Sequence, residues 1–224
     1  MSLIVTTGLT KVYPLEKQSI TGIDDVSIKI DRGEFVSIVG HSGSGKTTLL
    51  SIIGGIIRPT SGTVLFDKTD IFALDDRRLS EYRNKNVGFM FQFSSLLPIL
   101  TAKENLLMPS LFSSKNPDNL SEKAEGYLAM VGLKDKINAY PSQLSGGQQR
   151  RVAIARAFMN DPDIILADEP TGDLDEETER QMMEFFTVMN KERGITFIIV
   201  THNTDLAGQT KRRLSMSAGV LTEL

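Results

Sequence analysis

The chain has 224 residues, 40% of them hydrophobic, which is enough for one large domain with a well-buried core. A formal net charge of −3 excludes a globally basic surface for nucleic acid, and the lack of cysteine excludes a disulfide framework or a thiolate metal site, as in a reducing compartment. No apolar run approaches the ~20 residues of a bilayer-spanning helix, and the first residues lack the pattern of a signal peptide, so the sequence reads as a cytosolic protein that meets a membrane only through a partner.

Residues 3–7 read as a strand, with Tyr13 in the loop after it. Residues 27–30 alternate as a second strand, and the turn 31–34 leads to a β-branched run at 35–39. Directly after it come Gly40, His41, Ser42, Gly43, Ser44, Gly45, Lys46, Thr47 and Thr48. Leu49, Leu50, Ile52 and Ile53 follow at the spacing of a buried helix. Gly40, Gly45, Lys46 and Thr47 satisfy G-x-x-x-x-G-K-[ST] between a strand and a helix, the context that pattern requires. Unpaired N–H groups and the positive end of a helix dipole favour phosphate there, and glycine lets the main chain wrap around it. Lys46 is placed to reach the β- and γ-phosphates, and the Thr47 hydroxyl to ligate Mg2+. A glycine-rich cap on an ordinary helix is the plainer alternative, but the constrained residues between strand and helix favour a nucleoside-triphosphate site.

Residues 59–62 form a turn before a strand at 63–66, and 87–91 read as a strand ending at Gln92. From about residue 94 to 160 the pattern is helical. There Ser121 is expected to cap a helix whose apolar face is Ala124, Tyr127, Leu128 and Val131. The runs 164–167 and 196–200 suit central strands of a parallel sheet covered on both faces. Between them Met182, Phe185, Phe186 and Met189 form a helical stripe read as core, with no cofactor role. Residues 213–216 and 220–223 close the chain as a hairpin. The whole reads as a single α/β unit with a helical insertion.

Asp168 and Glu169 end the run 164–167, which places them at the carboxyl end of a buried strand, where open α/β sheets bind ligands. Asp168 matches the acid that holds Mg2+ in P-loop enzymes, and Glu169 can orient or deprotonate an attacking water. Two solvated acids before Pro170 are the plainer reading, outweighed by the phosphate loop in the same chain. Leu144, Ser145, Gly146, Gly147 and Gln148 precede a helix with Ser145 as its cap, a second anion-binding start.

With these residues the chain resembles the nucleotide-binding subunits of ABC transporters over nearly its whole length. Residues 144–148 match the LSGGQ signature. Gln92 resembles the Q-loop glutamine, Tyr13 the aromatic residue that stacks on adenine, 170–175 the D-loop, and His202 the switch histidine. A lone tyrosine more often packs and a lone histidine is more often structural, so their order and spacing carry the likeness. His41 stands where proline is frequent, and Gly172-Asp173 where Ser-Ala is common. The stretches 92–98, 105–109 and 171–175 are similar to the lipoprotein-releasing, macrolide-export and cell-division branch.

The resemblance implies an α/β fold with a P-loop NTPase core around a parallel central sheet, an N-terminal antiparallel β subdomain and an inserted helical subdomain. Residues 1–224 form a single ABC ATPase domain, with the core at about 1–93 and 161–224 and the helical part, carrying the signature, at about 94–160. ATP and Mg2+ are the implied ligands, with residues 40–48 around the phosphates, Tyr13 on the base, and Thr47, Gln92 and Asp168 around Mg2+. Glu169 is the implied general base, and His202 contacts the γ-phosphate and attacking water. Ser145 and Gly147, with Gly146 and Gln148 of the same motif, meet the γ-phosphate held by another subunit in an ATP-dependent head-to-tail dimer, with itself or a related chain. Asp173 and Asp175 signal across it.

The implied function is ATP hydrolysis that powers a separate integral membrane permease of exporter or lipoprotein-release type, from the inner face of the cell membrane. An ATPase that acts mechanically on a membrane protein without transport is the alternative and shares every catalytic residue. A soluble ABC ATPase of DNA repair or translation fits less well, lacking tandem cassettes, coiled coils and a basic balance. A GTPase fits less again, since Asn84-Lys85-Asn86-Val87 lacks the aspartate of N-K-x-D. Residues 92–109 are implied to face the permease, and the plainer reading makes about half of Phe93, Leu96, Leu97 and Leu100 core.

Overall fold

Two sheets carry the strands in the computed structural model, which describes residues 1–16, 18–113 and 119–224. The chain begins with β1 (Ser2–Pro14), β2 (Ser19–Asp31), β3 (Phe35–Val39) and α1 (Lys46–Ile53). It continues through β4 (Ser61–Phe66), β5 (Thr69–Asp70), α2 (Asp76–Asn86) and β6 (Val87–Met90). Three helices follow, α3 (Ala102–Leu107), α4 (Leu120–Met130) and α5 (Gly146–Ala157). Then come β7 (Ile164–Asp168), α6 (Glu176–Arg193), β8 (Thr196–Thr201), α7 (Thr204–Gly208), β9 (Arg212–Ser217) and β10 (Val220–Glu223).

One sheet has the order β2-β1-β4-β5 and is antiparallel; the other has the order β10-β9-β3-β8-β7-β6, parallel except for β10. Every residue of β7 and β8 is buried, as continuous apolar runs require when both faces of a sheet are covered. Alternate side chains divide between two cores. Ile165, Ala167, Phe197 and Ile199 join the core built with α5 and α6, and Ile164, Leu166, Ile198 and Val200 join the one built with α1 and the antiparallel sheet. The sheet is thus the shared floor of both, and its carboxyl edge is left for loops.

Helix α6 starts where Asp175 caps it by accepting from the Thr178 N–H, has Glu176, Glu177 and Glu179 in its first turn, and ends with Lys191 and Arg193. Those charges match the helix dipole. Its stripe of Met182, Phe185, Phe186 and Met189 is buried as core. Helix α3 opens with a capping box of Thr101 and Glu104. In α4, Ala124, Tyr127 and Leu128, with Val131 just beyond, face inward as their spacing predicts.

Several local expectations are corrected. Tyr13 lies in β1, paired with Ile20, and not in a loop, because β1 and β2 continue past bulges that shift their register. Ser121 is the second residue of α4 and does not cap it; Asn119 holds the cap position. The strand before Gln92 ends at Met90, and β4 begins at Ser61 inside the expected turn. Phe93 and Leu97 are exposed, Leu100 is half-buried, and only Leu96 of that set packs on the core. No helix among the described residues is long and apolar enough to cross a membrane.

Candidate active site

The parallel neighbours β3, β8 and β7 end side by side, with Val39 beside Thr201 and Asp168 beside Val200. Three loops therefore leave one sheet edge together, bringing residues 40–48, the Asp168-Glu169 pair and His202 to one place. In the first loop Gly45 has φ 108°, and a Cβ there would lie 2.2 Å from the Gly22 carbonyl oxygen; at Gly40 it would lie 2.2 Å from that of Met216. Only glycine fits at these two positions. The Lys46 ammonium donates to the carbonyls of Gly40 at 2.6 Å and His41 at 2.9 Å, in the bowl of its own loop. Ser44 Oγ is buried there without a hydrogen-bond partner, a polar atom suited to an anion.

The Thr47 hydroxyl donates to Asp168 Oδ2 at 2.7 Å. Burial pushes the Asp168 carboxyl above its ordinary value and the neighbouring Glu169 charge adds to this, while the Thr47 hydrogen bond, Lys46 and Arg150 oppose it. Glu169 follows in a left-handed conformation, φ 46°, with its N–H on the Val200 carbonyl. Its Oε1 accepts from the His202 N–H and faces His202 Nδ1, and its Oε2 accepts from Thr201 Oγ1.

Tyr13 reaches the same cleft from β1, its hydroxyl 3.3 Å from Thr48 Oγ1 and its ring under the Lys11 ammonium at 5.3 Å. Gln92, exposed just beyond β6, completes the wall. The cleft encloses about 530 Å³ and is lined by Tyr13, Ser42, Gly43, Gly45, Lys46, Thr47, Thr48, Gln92, Asp168, Glu169, Asp173 and His202, among others. Small-ligand sites span about 300–1,000 Å³. Gly40, His41 and Ser44 belong to the loop but not to this lining, and His41 points to solvent.

Ser145, Gly146, Gly147 and Gln148 are elsewhere. Ser145 caps α5, its hydroxyl accepting the Gln148 N–H at 3.2 Å while Gln148 Oε1 accepts the Ser145 N–H at 2.9 Å. A side chain at Gly146 would meet open space, and one at Gly147 would touch Leu174 at 3.4 Å. This helix start faces outward beside the segment 170–175 and does not line the cleft.

A family model described as ABC transporter matches residues 23–172. The lipoprotein-releasing system ATP-binding protein LolD of Syntrophus aciditrophicus is 43% identical over 217 residues, 97% of both chains. The chain belongs to the ABC transporter family. It is an ATP-binding, ATP-hydrolysing subunit of that family. An uncharacterized ABC transporter ATP-binding protein of Bacillus subtilis, YknY, is also 43% identical, over 97% of this chain and 94% of its own. Among solved structures, the ATP-binding cassette MJ0796, a dimer in a post-hydrolysis state bound to ADP and Pi, is similar with a TM-score of 0.92 and 39% identity, covering 99% of this chain and 98% of that one.

Two residues of this ABC ATPase near the cleft escape sequence reasoning. Thr201, buried at the end of β8, holds Glu169 through its hydroxyl. Arg150 is 3% exposed on α5 and donates to main-chain carbonyls beneath Gln92 and Glu169. The signal for Arg150 is its place with Ala153, Ile154 and Ala157 at i, i+3, i+4 and i+7, an arginine on the apolar stripe of a helix.

Proposed function

We propose that the chain binds ATP in the Lys46 cleft and works as a head-to-tail pair, in which α5 of each copy closes the cleft of the other. The observation that carries this reading is the position of Ser145–Gln148, an anion-binding helix start facing outward from a chain whose own cleft lies elsewhere. The dimeric cassette with which the chain shares its fold supports it. Residues 40–48 hold the phosphates, with Lys46 turning from its own carbonyls to them, and Tyr13 stacks on the base. Glu169 orients and deprotonates the attacking water while Thr201 and His202 hold its carboxylate, and His202 also reaches the γ-phosphate. Asp173 and Asp175 pass the state of one cleft to the other copy.

Thr47 and Asp168, with Gln92 on the same wall, would hold Mg2+, since paired hard oxygens suit that cation. A Mg2+ ion held there would supply positive charge against that of the triphosphate.

The partner is an integral membrane permease, so that the chain sits on the cytoplasmic face of the membrane without entering it. Phe93 is 77% exposed and Ile99 81%, with Phe91, Leu111 and Phe112 also uncovered. Large apolar side chains left uncovered in numbers suit a protein contact. We read residues of about 94–160 as the helical subdomain, which carries Ile99, Leu111 and Phe112, against a core of about 1–93 and 161–224, whose end carries Phe91 and Phe93. The naming of several relatives as lipoprotein-releasing ATPases favours a release or export system.

The test is the dependence of ATP turnover on chain concentration, at dilutions that separate pairs. A rate rising faster than first order supports the pair; strict first order contradicts it.

A further inference from the structure

Lys46, Thr47, Gln92, Asp168, Glu169 and His202 present their side chains in the cleft. Arg150 lies behind them and grips the backbone that presents two of them. Its Nε donates to the Pro170 carbonyl at 2.8 Å, and its Nη2 to those of Glu169 and, at 3.4 Å, Asp168. Its Nη1 donates to the carbonyls of Phe91 and, at 2.6 Å, Gln92. One arm of the guanidinium therefore holds the stretch that ends β6, and the rest of the fork holds the turn after β7. A guanidinium offers five donors in one rigid plane, so fixing both stretches on it fixes them against each other. Burial holds the guanidinium below its ordinary value, and the charges of Asp173, Asp168 and Glu169 work against that shift.

Arg150 also stands less than two turns from Ser145 on the same helix. A displacement of the Ser145 end moves Arg150 with it, and through Arg150 both held stretches. Glu169 is sensitive to such a shift because its left-handed backbone must hold its carboxylate against Thr201 and His202.

We propose that Arg150 is a positioning residue, which sets the placement of Gln92 relative to Glu169 and transmits to both the docking of the α5 N-terminus on a second copy's nucleotide. This rests on the reading of Glu169 as the base. None of the Arg150 hydrogen bonds goes to Lys46, Thr47 or Tyr13, so its removal acts on the chemical step more than on nucleotide affinity.

The experiment compares Arg150→Gln and Arg150→Lys with the unmutated chain, reading kcat and KM for MgATP, binding of a fluorescent ATP, and folded fraction by circular dichroism. Arg151→Gln is the control: it removes the next guanidinium on α5, which donates to the Val131 carbonyl and touches neither stretch. Arg150→Gln is expected to lose about 10²-fold in kcat, the cost of a misplacement near 1 Å, with KM and ATP binding nearly unmoved. Arg150→Lys keeps the charge with fewer donors and should recover part of the loss, while Arg151→Gln keeps the unmutated kcat. An unmutated kcat in folded Arg150→Gln, or an equal loss in Arg151→Gln, would overturn the proposal. If Arg150→Gln does not fold, Arg150→Lys decides by the same split of kcat from KM. If neither folds, the proposal is overturned, because the guanidinium then serves stability. Glu169→Gln, run alongside, separates the two levels: full turnover there removes Glu169 as the base whatever Arg150 does.

Discussion

Glu169 Oε1 and His202 Nδ1 lie 2.7 Å apart, and the same oxygen accepts the His202 main-chain N–H at 2.9 Å. Thr201 Oγ1 occupies the other carboxylate oxygen at 2.9 Å. Both oxygens are therefore aimed by neighbours at and just beyond the end of the adjacent strand, which is the arrangement a positioned base needs. Glu169→Gln keeps the size of the side chain and removes its basicity. Turnover should fall about 10²–10⁴-fold, the usual worth of general-base catalysis, with ATP binding retained. Phosphate release and fluorescent-ATP titration measure the two separately, and a variant hydrolysing at the unmutated rate would take Glu169 out of this role.

The Thr47 hydroxyl and Asp168 carboxylate meet at 2.7 Å, where the cation is assigned. Chelation with EDTA should stop turnover, and excess Mg2+ should restore it. Thr47→Ala should raise the Mg2+ concentration for half-maximal turnover about tenfold, the factor that follows from ~1.4 kcal/mol, while Thr47→Ser should not. An unchanged Mg2+ requirement in Thr47→Ala would contradict the assignment.

Lys46 donates to the carbonyls of its own loop from the floor of the cleft. A charged contact to a phosphate is worth about 1.5–3 kcal/mol, so Lys46→Ala should weaken ATP binding about 10–100-fold. Gly45→Ala should weaken it as well, because the added Cβ has to displace the loop from Gly22. Calorimetric titration with ATP checks both, and undiminished affinity in Lys46→Ala would refute the phosphate-loop assignment.

Asp175 caps α6, accepting from the Thr178 N–H at 3.0 Å and its hydroxyl at 2.8 Å. The backbone hydrogen bond, then the hydroxyl, holds its carboxyl below the ordinary 3.8. A carboxyl depressed in the folded state takes up its proton sooner in the unfolded chain. Its stabilisation is present above 3.8 and is lost as pH falls through the lower folded value. Asp175→Asn keeps an oxygen at the cap but does not titrate. Its urea midpoint should fall less steeply than that of the unmutated chain between about pH 5 and about pH 2, and parallel curves would contradict the cap's charge dependence.

What could be read from the sequence follows from which contacts leave a trace in side-chain order. The phosphate loop is legible because a β-branched strand, fixed glycines and an apolar helix stripe coincide within residues 35–53. Ser145 is legible because Ser and Gln three apart make a capping box, and the structure has it. β1 and β2 are only half legible: each has 13 residues, but register shifts between Thr6 and Val12 break the two-residue alternation, so Tyr13 read as loop. Arg150 was hidden for a different reason. Its acceptors are main-chain carbonyls, which no residue type announces, 58 positions away at Gln92 and 19 at Glu169.

The central claim is that two copies share each ATP, and the most direct measurement is the mass of Glu169→Gln by light scattering, with and without MgATP. The account predicts a monomer that becomes a dimer when MgATP is added, and a return to monomer when Ser145→Arg is placed in the same chain. A monomer that persists with ATP demonstrably bound, or a dimer indifferent to Ser145→Arg, would contradict it.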